Sequence, residues 1–323
     1  MVTKKWNVDR CVKEAREWIS HSEDFQFRQP VAHLASIKDW RQEIGHAPFR
    51  LDQISHWYGQ HAAIAYYEND WRRMSEFASL AAYCDAVSIA VNVNVRTARP
   101  NLSGGSQAKA GLKLARAIVI GRDEEARIIA RKISQEHSNN RWYDAGATAI
   151  GPFCVRLYAD YLGEADPFLG VTVRELPAYQ TILEYWRDPN EQKIRSALYD
   201  AGQRHVAQSA LSHSMMDVEW PEFQSFPAEI LAILKLREAF GLPAFSNMPW
   251  PDGLAYAILP ETFPPVPYPD FLTALIQSIR KKAPAFRDGL PTIDSVGQAQ
   301  APGDKSQNPF TRILRLVGIT RDR

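Results

Sequence analysis

The stretch QAKAGLKLARAIVIGRDEEARIIARKISQE, Gln107 to Glu136, decides the fold. Two helical runs meet at Gly121-Arg122-Asp123. Glycine tolerates the left-handed conformation in which many helices end, so Gly121 marks a C-terminus. Asp123 then reads as the N-cap of the next helix, with Glu124 and Glu125 in its positive first turn. The stretch predicts a helical hairpin.

The same pattern recurs on both sides. Arg50 to Glu68 carries Leu51, Ile54, Tyr58, Ala62, Ala65 and Tyr66 on one helical stripe, Asn69-Asp70 interrupts, and a second apolar run extends from Trp71 to Val91. Downstream, the segment starting at Leu176 breaks at Asp188-Pro189-Asn190, with Asp188 as N-cap and Pro189 as the first helical residue. Three αα-hairpins are therefore expected, centred near residues 69, 121 and 189. Those spacings are unequal and far from the roughly 34-residue period of tetratricopeptide arrays. The expected fold is all-α, an irregular bundle or solenoid of antiparallel hairpins. Val8, Cys11, Val12, Ala15 and Trp18 predict a further N-terminal helix, and NRWYDAGATAIGPFCVRLYADYL another, interrupted at Gly151-Pro152. The alternation in SIAVNVNVRTA fits either a short strand or the end of the preceding helix.

FPAEILAILKLREAFGLP, Phe226 to Pro243, is a closing helix over 226–241. Pro227 and Glu229 suit its first turn, Gly241 its end, and Pro243 prevents its restart. Ile230, Leu231, Leu234, Ala239 and Phe240 form a buried face, and Lys235, Arg237 and Glu238 point to water. Burying four large apolar side chains contributes roughly 6–12 kcal/mol before entropy is subtracted. Seven prolines between Ser246 and Phe271 then exclude a long helix and predict an extended strap with tucked aromatics. FLTALIQSIRKK is the last helix of a domain spanning 1–283. Residues 284–307 read as a flexible linker, and 308–323 as a short basic, amphipathic tail.

The bulk numbers limit function. The net charge of +1, from 38 basic and 37 acidic side chains, argues against a strongly basic nucleic-acid binder. From Arg280 onward nine basic residues face four acidic ones, so the charge surplus lies at the C-terminal end. Cys11, Cys84 and Cys154 form no C-x-x-C pair and read as small core residues of a reducing, cytoplasmic environment. Neither a secretory signal nor an integral membrane span is expected.

Sites of chemistry are sparse. G-x-G-x-x-G, P-loop, H-E-x-x-H and G-x-S-x-G motifs are absent. The glycine-rich stretch 103–111 precedes a helix and suits either a structural loop or a phosphate on backbone N–H groups. His56 and His61 are five residues apart, which rotates them about 140° away from each other on a helix, so neither a metal nor any cofactor is expected. For an enzyme, His205 and His213 with a carboxylate are one candidate set, and Cys84 or Cys154 would need a nearby His that no local motif supplies. SHSMMDVEWPEFQSF, between two helices, mixes Trp220 and Phe223 with Asp217, Glu219 and Glu222. Aromatics among acids suit an exposed partner-binding loop, or else aromatics packed beneath it. Glu68, Asp70 and Arg73 at the first hairpin turn form a second candidate surface.

The order of these features, from IVIGRDEEARIIARKI through PAYQTILEYWRDPNEQKIRSALYDAGQRHVAQSA to the aromatic-acidic loop and closing helix, resembles the helical immunity proteins of bacterial polymorphic toxin systems. It is most similar to a DNase-toxin immunity family, with the immunity protein 49 family as a second candidate. Glu229, Leu231, Ala232, Leu236, Gly241 and Leu242 stand in the roles of the closing helix. The likeness covers residues 50 to 243, and the chain departs from it in its strap, its tail and the absence of a tryptophan-glycine motif. The resemblance implies a non-enzymatic protein that binds and neutralises one cognate toxin domain. That reading predicts a stable 1:1 or 2:2 complex, the second built on a homodimer of this chain. A helical scaffold or adaptor binding through its loops or basic tail is the alternative.

Overall fold

A computed structural model describes residues 7–99, 105–139, 142–209, 217–218, 220–242, 259–260 and 262–292. Within them the protein is all-α, with no strand. Its first hairpin pairs α4 (Ala47–Tyr67) with α5 (Trp71–Ala98). The turn is closed by Asn69 at φ 57°, with Asp70 N–H bonding Ala65 O at 2.9 Å and Asn69 N–H bonding Tyr66 O at 3.1 Å. This is a Schellman closure with asparagine in the glycine position. The alternating run Ser88 to Ala98 is helical and belongs to α5, because this segment is buried on nearly all sides. By length and composition α5 qualifies as a membrane span, yet 89% of its apolar window is buried inside the protein, where it forms the core.

α6 (Gln107–Val119) and α7 (Asp123–Ser138) make the second hairpin. Gly121 has φ 65° as expected, and Arg122 N–H bonds Ala117 O at 2.9 Å. Asp123 is the first residue of α7 rather than its cap, and no side chain caps that end. α6 is buried around almost its whole circumference. It packs against α8 (Ile150–Leu162), where a Cβ on Gly111 would lie 2.6 Å from the Cα of Gly151. The two backbones touch there, which only paired glycines permit. Gly151 and Pro152 start α8 instead of interrupting a longer helix.

The third hairpin joins α9 (Pro177–Tyr185) and α10 (Gln192–Ser209). Asp188 does not cap α10. Its carboxylate takes the Asn190 N–H at 2.8 Å, the Asn190 side chain takes the Gln192 N–H at 3.1 Å, and the helix starts later than its proline suggests. α11 (Pro221–Gln224) leads into α12 (Ala228–Ala239), which packs on α6, and Gly241 ends it at φ 72°. The closing helix differs from expectation at several residues. Ala239 and Phe240, expected on its buried face, are exposed at its C-terminal end. Arg237 is buried and donates to the carbonyls of Trp186 at 2.5 Å and Asp188 at 3.0 Å, anchoring the third hairpin. Glu229 is buried against His205.

At the N-terminus, α1 (Val8–Glu23) passes through a π-helical turn, Asp24–Arg28, into α2 (Gln29–Ser36). α3 (Trp40–Glu43) and a 3₁₀ turn, Ile44–His46, then lead to α4. Of the strap, the portion near Val266 and Tyr268 lies on α5 and α7: Tyr268 stacks on Tyr83 at 4.0 Å and donates to Glu125, and Tyr83 donates to Val266 O at 2.5 Å. α13 (Asp270–Lys282) follows. Composition suggests a flexible linker from residue 284, but Pro284 to Thr292 is held against the body. Asn94 donates to the carbonyls of Phe286 and Asp288, each at 2.8 Å, and Lys132 pairs with Asp288 at 2.7 Å. The rest of that segment and the basic tail 308–323 lie outside the described residues. All three cysteines are buried and free.

Candidate functional site

Two surfaces were expected to meet a partner, and their fates differ. The segment around Asp217 turns inward. Asp217 accepts the Ala149 and Ile150 N–H groups at 2.7 and 3.0 Å, so it caps α8 from a distance, and it pairs with Arg204. Glu222 and Phe223 are buried and Trp220 is half-buried. Glu219 lies outside the described residues. The exposed aromatic-acidic loop is thus corrected: three of its side chains supply a helix cap, a buried ion pair and core packing. By contrast, the α4–α5 turn stands at the surface. Glu68 bridges Arg16 at 2.6 Å and Arg73 at 3.4 Å, and Asp70 caps α5 by accepting the Arg73 N–H at 3.0 Å.

Beneath α11 lies a cluster that no sequence motif announces. Asp85, fully buried in the middle of α5, takes Lys113 at 2.8 Å, the Ser55 hydroxyl at 2.6 Å and Arg116. Lys113 also reaches Asp52, which pairs with Lys109 at 2.7 Å. The Arg116 guanidinium lies 4.9 Å from the Phe223 ring. Glu222 meets His56 Nδ1 at 2.6 Å. Gly59 leaves room for this crossing, since a Cβ there would sit 2.5 Å from Arg116 Nη1. Three carboxylates, Asp52, Asp85 and Glu222, face Lys109, Lys113, Arg116 and the His56 ring, so each carboxylate has a basic neighbour, as buried ions must.

The titration of these groups follows from that pairing. Burial pushes the Glu222 carboxyl up, but the adjacent His56 charge, aided by Lys109 and Arg116, outweighs it and holds Glu222 at about 2. For Asp52, burial likewise opposes ionisation, and the two lysines overcome it and drive its pKa down. Burial disfavours charge on Lys113, yet its two carboxylates raise its pKa. Such a locked, saturated cluster suits rigidity.

The remaining candidates resolve in the same way. Asp144 occupies the N-terminus of α6, accepting the Gln107 N–H at 2.7 Å and the Ser106 hydroxyl at 2.6 Å. The chain's own carboxylate thus fills the anion position that the glycine-rich stretch offers a phosphate. His61 is buried between Trp57 and Phe77, and burial, then Arg73, pushes its pKa down to about 3. His205 is sealed against Glu229 at 2.7 Å, and His213 lies outside the described residues. Among the described residues no group of three or more His, Cys, Asp or Glu side chains is placed to hold a metal ion. Of the cluster, sequence reasoning singled out Glu222 and Phe223 for a partner, weighed His56 for a metal, and picked none of the buried ions on α5 and α6. One signal was present: Asp85 stands alone in an otherwise apolar run, and Lys109, Lys113 and Arg116 repeat at helical spacing on an apolar helix.

No protein-family model, curated protein or solved structure matches the chain.

Proposed function

We propose that the chain is an immunity protein, a helical binding protein that neutralises one cognate toxin domain by covering its active site. The observation that carries this reading is the partition of charge. Interior acids and bases are matched against one another, while the α4–α5 turn holds Arg16, Glu68, Asp70 and Arg73 on a rigid, exposed edge. A pre-formed charged edge steers encounter and selects a partner, and it loses little conformational entropy on docking. The order of helical elements, like that of helical immunity families, supports the same reading. A stable complex of this kind buries about 1,200–2,000 Å².

The test is co-expression. The C-terminal domain encoded immediately upstream is produced alone and together with this protein. Rescue of growth and co-elution of the two chains as one complex are expected. Undiminished toxicity with both proteins present and folded refutes the proposal.

A further inference from the structure

We infer that the N-terminal half of α4, with the π-helical turn beside it, is a docking face for an acidic, apolar patch on a partner protein. The inference rests on the binding role proposed above and names a surface distinct from the α4–α5 turn. From Trp57 to Tyr66 every residue of α4 is buried. Before that point one side is partly uncovered: Phe49 is exposed and Arg50 and Gln53 are half-buried, while His56, one turn further on, lies 4.7 Å from the Trp18 ring and against Glu222. Phe49 is 62% exposed, and Phe25 on the π-helical turn is 46% exposed. The Gln53 amide, one turn on from Phe49, donates to Phe25 O at 3.4 Å and so ties the π-helical turn to this side of α4. The extra residue of a π-turn re-aims its neighbours, a device frequent at functional sites. Here Phe27 goes inward, stacking on Trp57 at 4.6 Å, and Phe25 goes outward.

Charge selects the occupant. Asp52 is matched by Lys109 and Lys113, and His56 by Glu222. Arg50 has no carboxylate partner among the described residues. It donates to Gln53 Oε1 at 3.0 Å and lies 5.5 Å from the Phe49 ring. An arginine against exposed aromatics is the composition of an interface anchor. The fitting partner offers a carboxylate to Arg50 and apolar side chains to the exposed rings of Phe25 and Phe49. A second copy of this chain fits poorly, because a two-fold contact centred there sets Arg50 against Arg50. Lys109, which pairs with Asp52 of α4, lies 5.9 Å from the half-buried Trp220 ring, and these ion pairs hold the N-terminal half of α4 to α6.

The experiment compares wild type with Phe49→Asp, Arg50→Glu and the double variant, using the upstream-encoded domain and calorimetric titration. Circular dichroism is expected to be unchanged and melting nearly so, since Phe49 is exposed and the half-buried Arg50 gives up only its bond to Gln53. The double variant is expected to lose at least about 100-fold in affinity, and Arg50→Glu about 10-fold with a weaker salt dependence. Wild type and double variant binding within threefold of each other overturns this inference and leaves the proposed function standing. If wild type itself does not bind that domain, the proposed function falls, and a second probe decides this surface. That probe is a labelled synthetic helix with leucine and glutamate on one face. It is expected to shift amide signals at 49–53 in wild type only. Equal shifts with a lysine-for-glutamate helix, no shifts at all, or a dimer dissociated by Phe49→Asp each overturn it.

Discussion

Replacing Asp85 by asparagine tests the physics of the interior directly. The substitution keeps size and one acceptor but removes the charge that Arg116 and Lys113 share. Lys113 retains Asp52, so the loss falls mainly on Arg116, which is itself buried. Removing one partner of a buried pair costs about 3–5 kcal/mol, because the other charge is stranded. With a companion cation still neutralised, the lower end of that range, about 3 kcal/mol, is expected. At about 1.4 kcal/mol per tenfold, that is more than a hundredfold in the folded-to-unfolded ratio. With a urea slope of about 3 kcal/mol/M, the midpoint falls by about 1 M. Urea unfolding at pH 7, followed by tryptophan fluorescence, measures it. The double variant Asp85→Leu with Arg116→Met removes both charges and is expected to recover most of the loss. A midpoint that moves by less than about 0.3 M in Asp85→Asn, or a double variant at least as unstable as the single, refutes the argument.

Other outcomes follow from particular contacts. Gly111→Ala gains about 1 kcal/mol of helix propensity, but its Cβ meets the α8 backbone. It is therefore expected to be net destabilising by about 1–3 kcal/mol, and equal or greater stability in urea contradicts the contact. Stability should fall on both sides of neutrality in melts from pH 3 to 9. Glu222 and His61 have depressed folded values, about 2 and about 3, so their contributions are complete above their unfolded values and are lost as pH falls. His205 has a raised value, with burial lowering it and Glu229 outweighing burial, so its contribution is complete below the unfolded value and lost as pH rises. His61→Phe should flatten the acid limb, and an unchanged limb contradicts this assignment. Asp144→Ala should cost about 1–2 kcal/mol by uncapping α6, read by the same urea titration. Glu68→Lys should change stability by less than about 0.5 kcal/mol while weakening partner association at low salt, as measured by stopped-flow.

The helical hairpins were legible because their signals are local. Gly121 and Gly241 end helices in the sequence and in space, and Asn69 does the work of a glycine. The interior was not legible, because its pairings join distant positions. Asp85 and Arg116 are 31 residues apart, and Glu222 and His56 are 166 apart. Periodicity alone sends Arg237 to water, yet the carbonyls of Trp186 and Asp188 give it a reason to be inside. The aromatic-acidic loop reads as exposed because its composition suits an interface. Asp217 turns inward because the start of α8 offers it two unpaired N–H groups, and Glu222 because His56 and two further cations surround it. Phe25 and Phe49 were passed over, since single exposed aromatics carry no pattern, and the π-turn that sends Phe27 inward and leaves Phe25 exposed has no sequence signature.

The separation of interior from edge charge sets how the protein should respond to electrolyte. Mobile ions attenuate attractions that solvent reaches and scarcely touch those it does not, so sodium chloride should leave the Asp85–Arg116 contact intact while loosening whatever Glu68 and Arg73 grip. Elution from a captured partner with moderate salt should therefore return a folded, reusable protein.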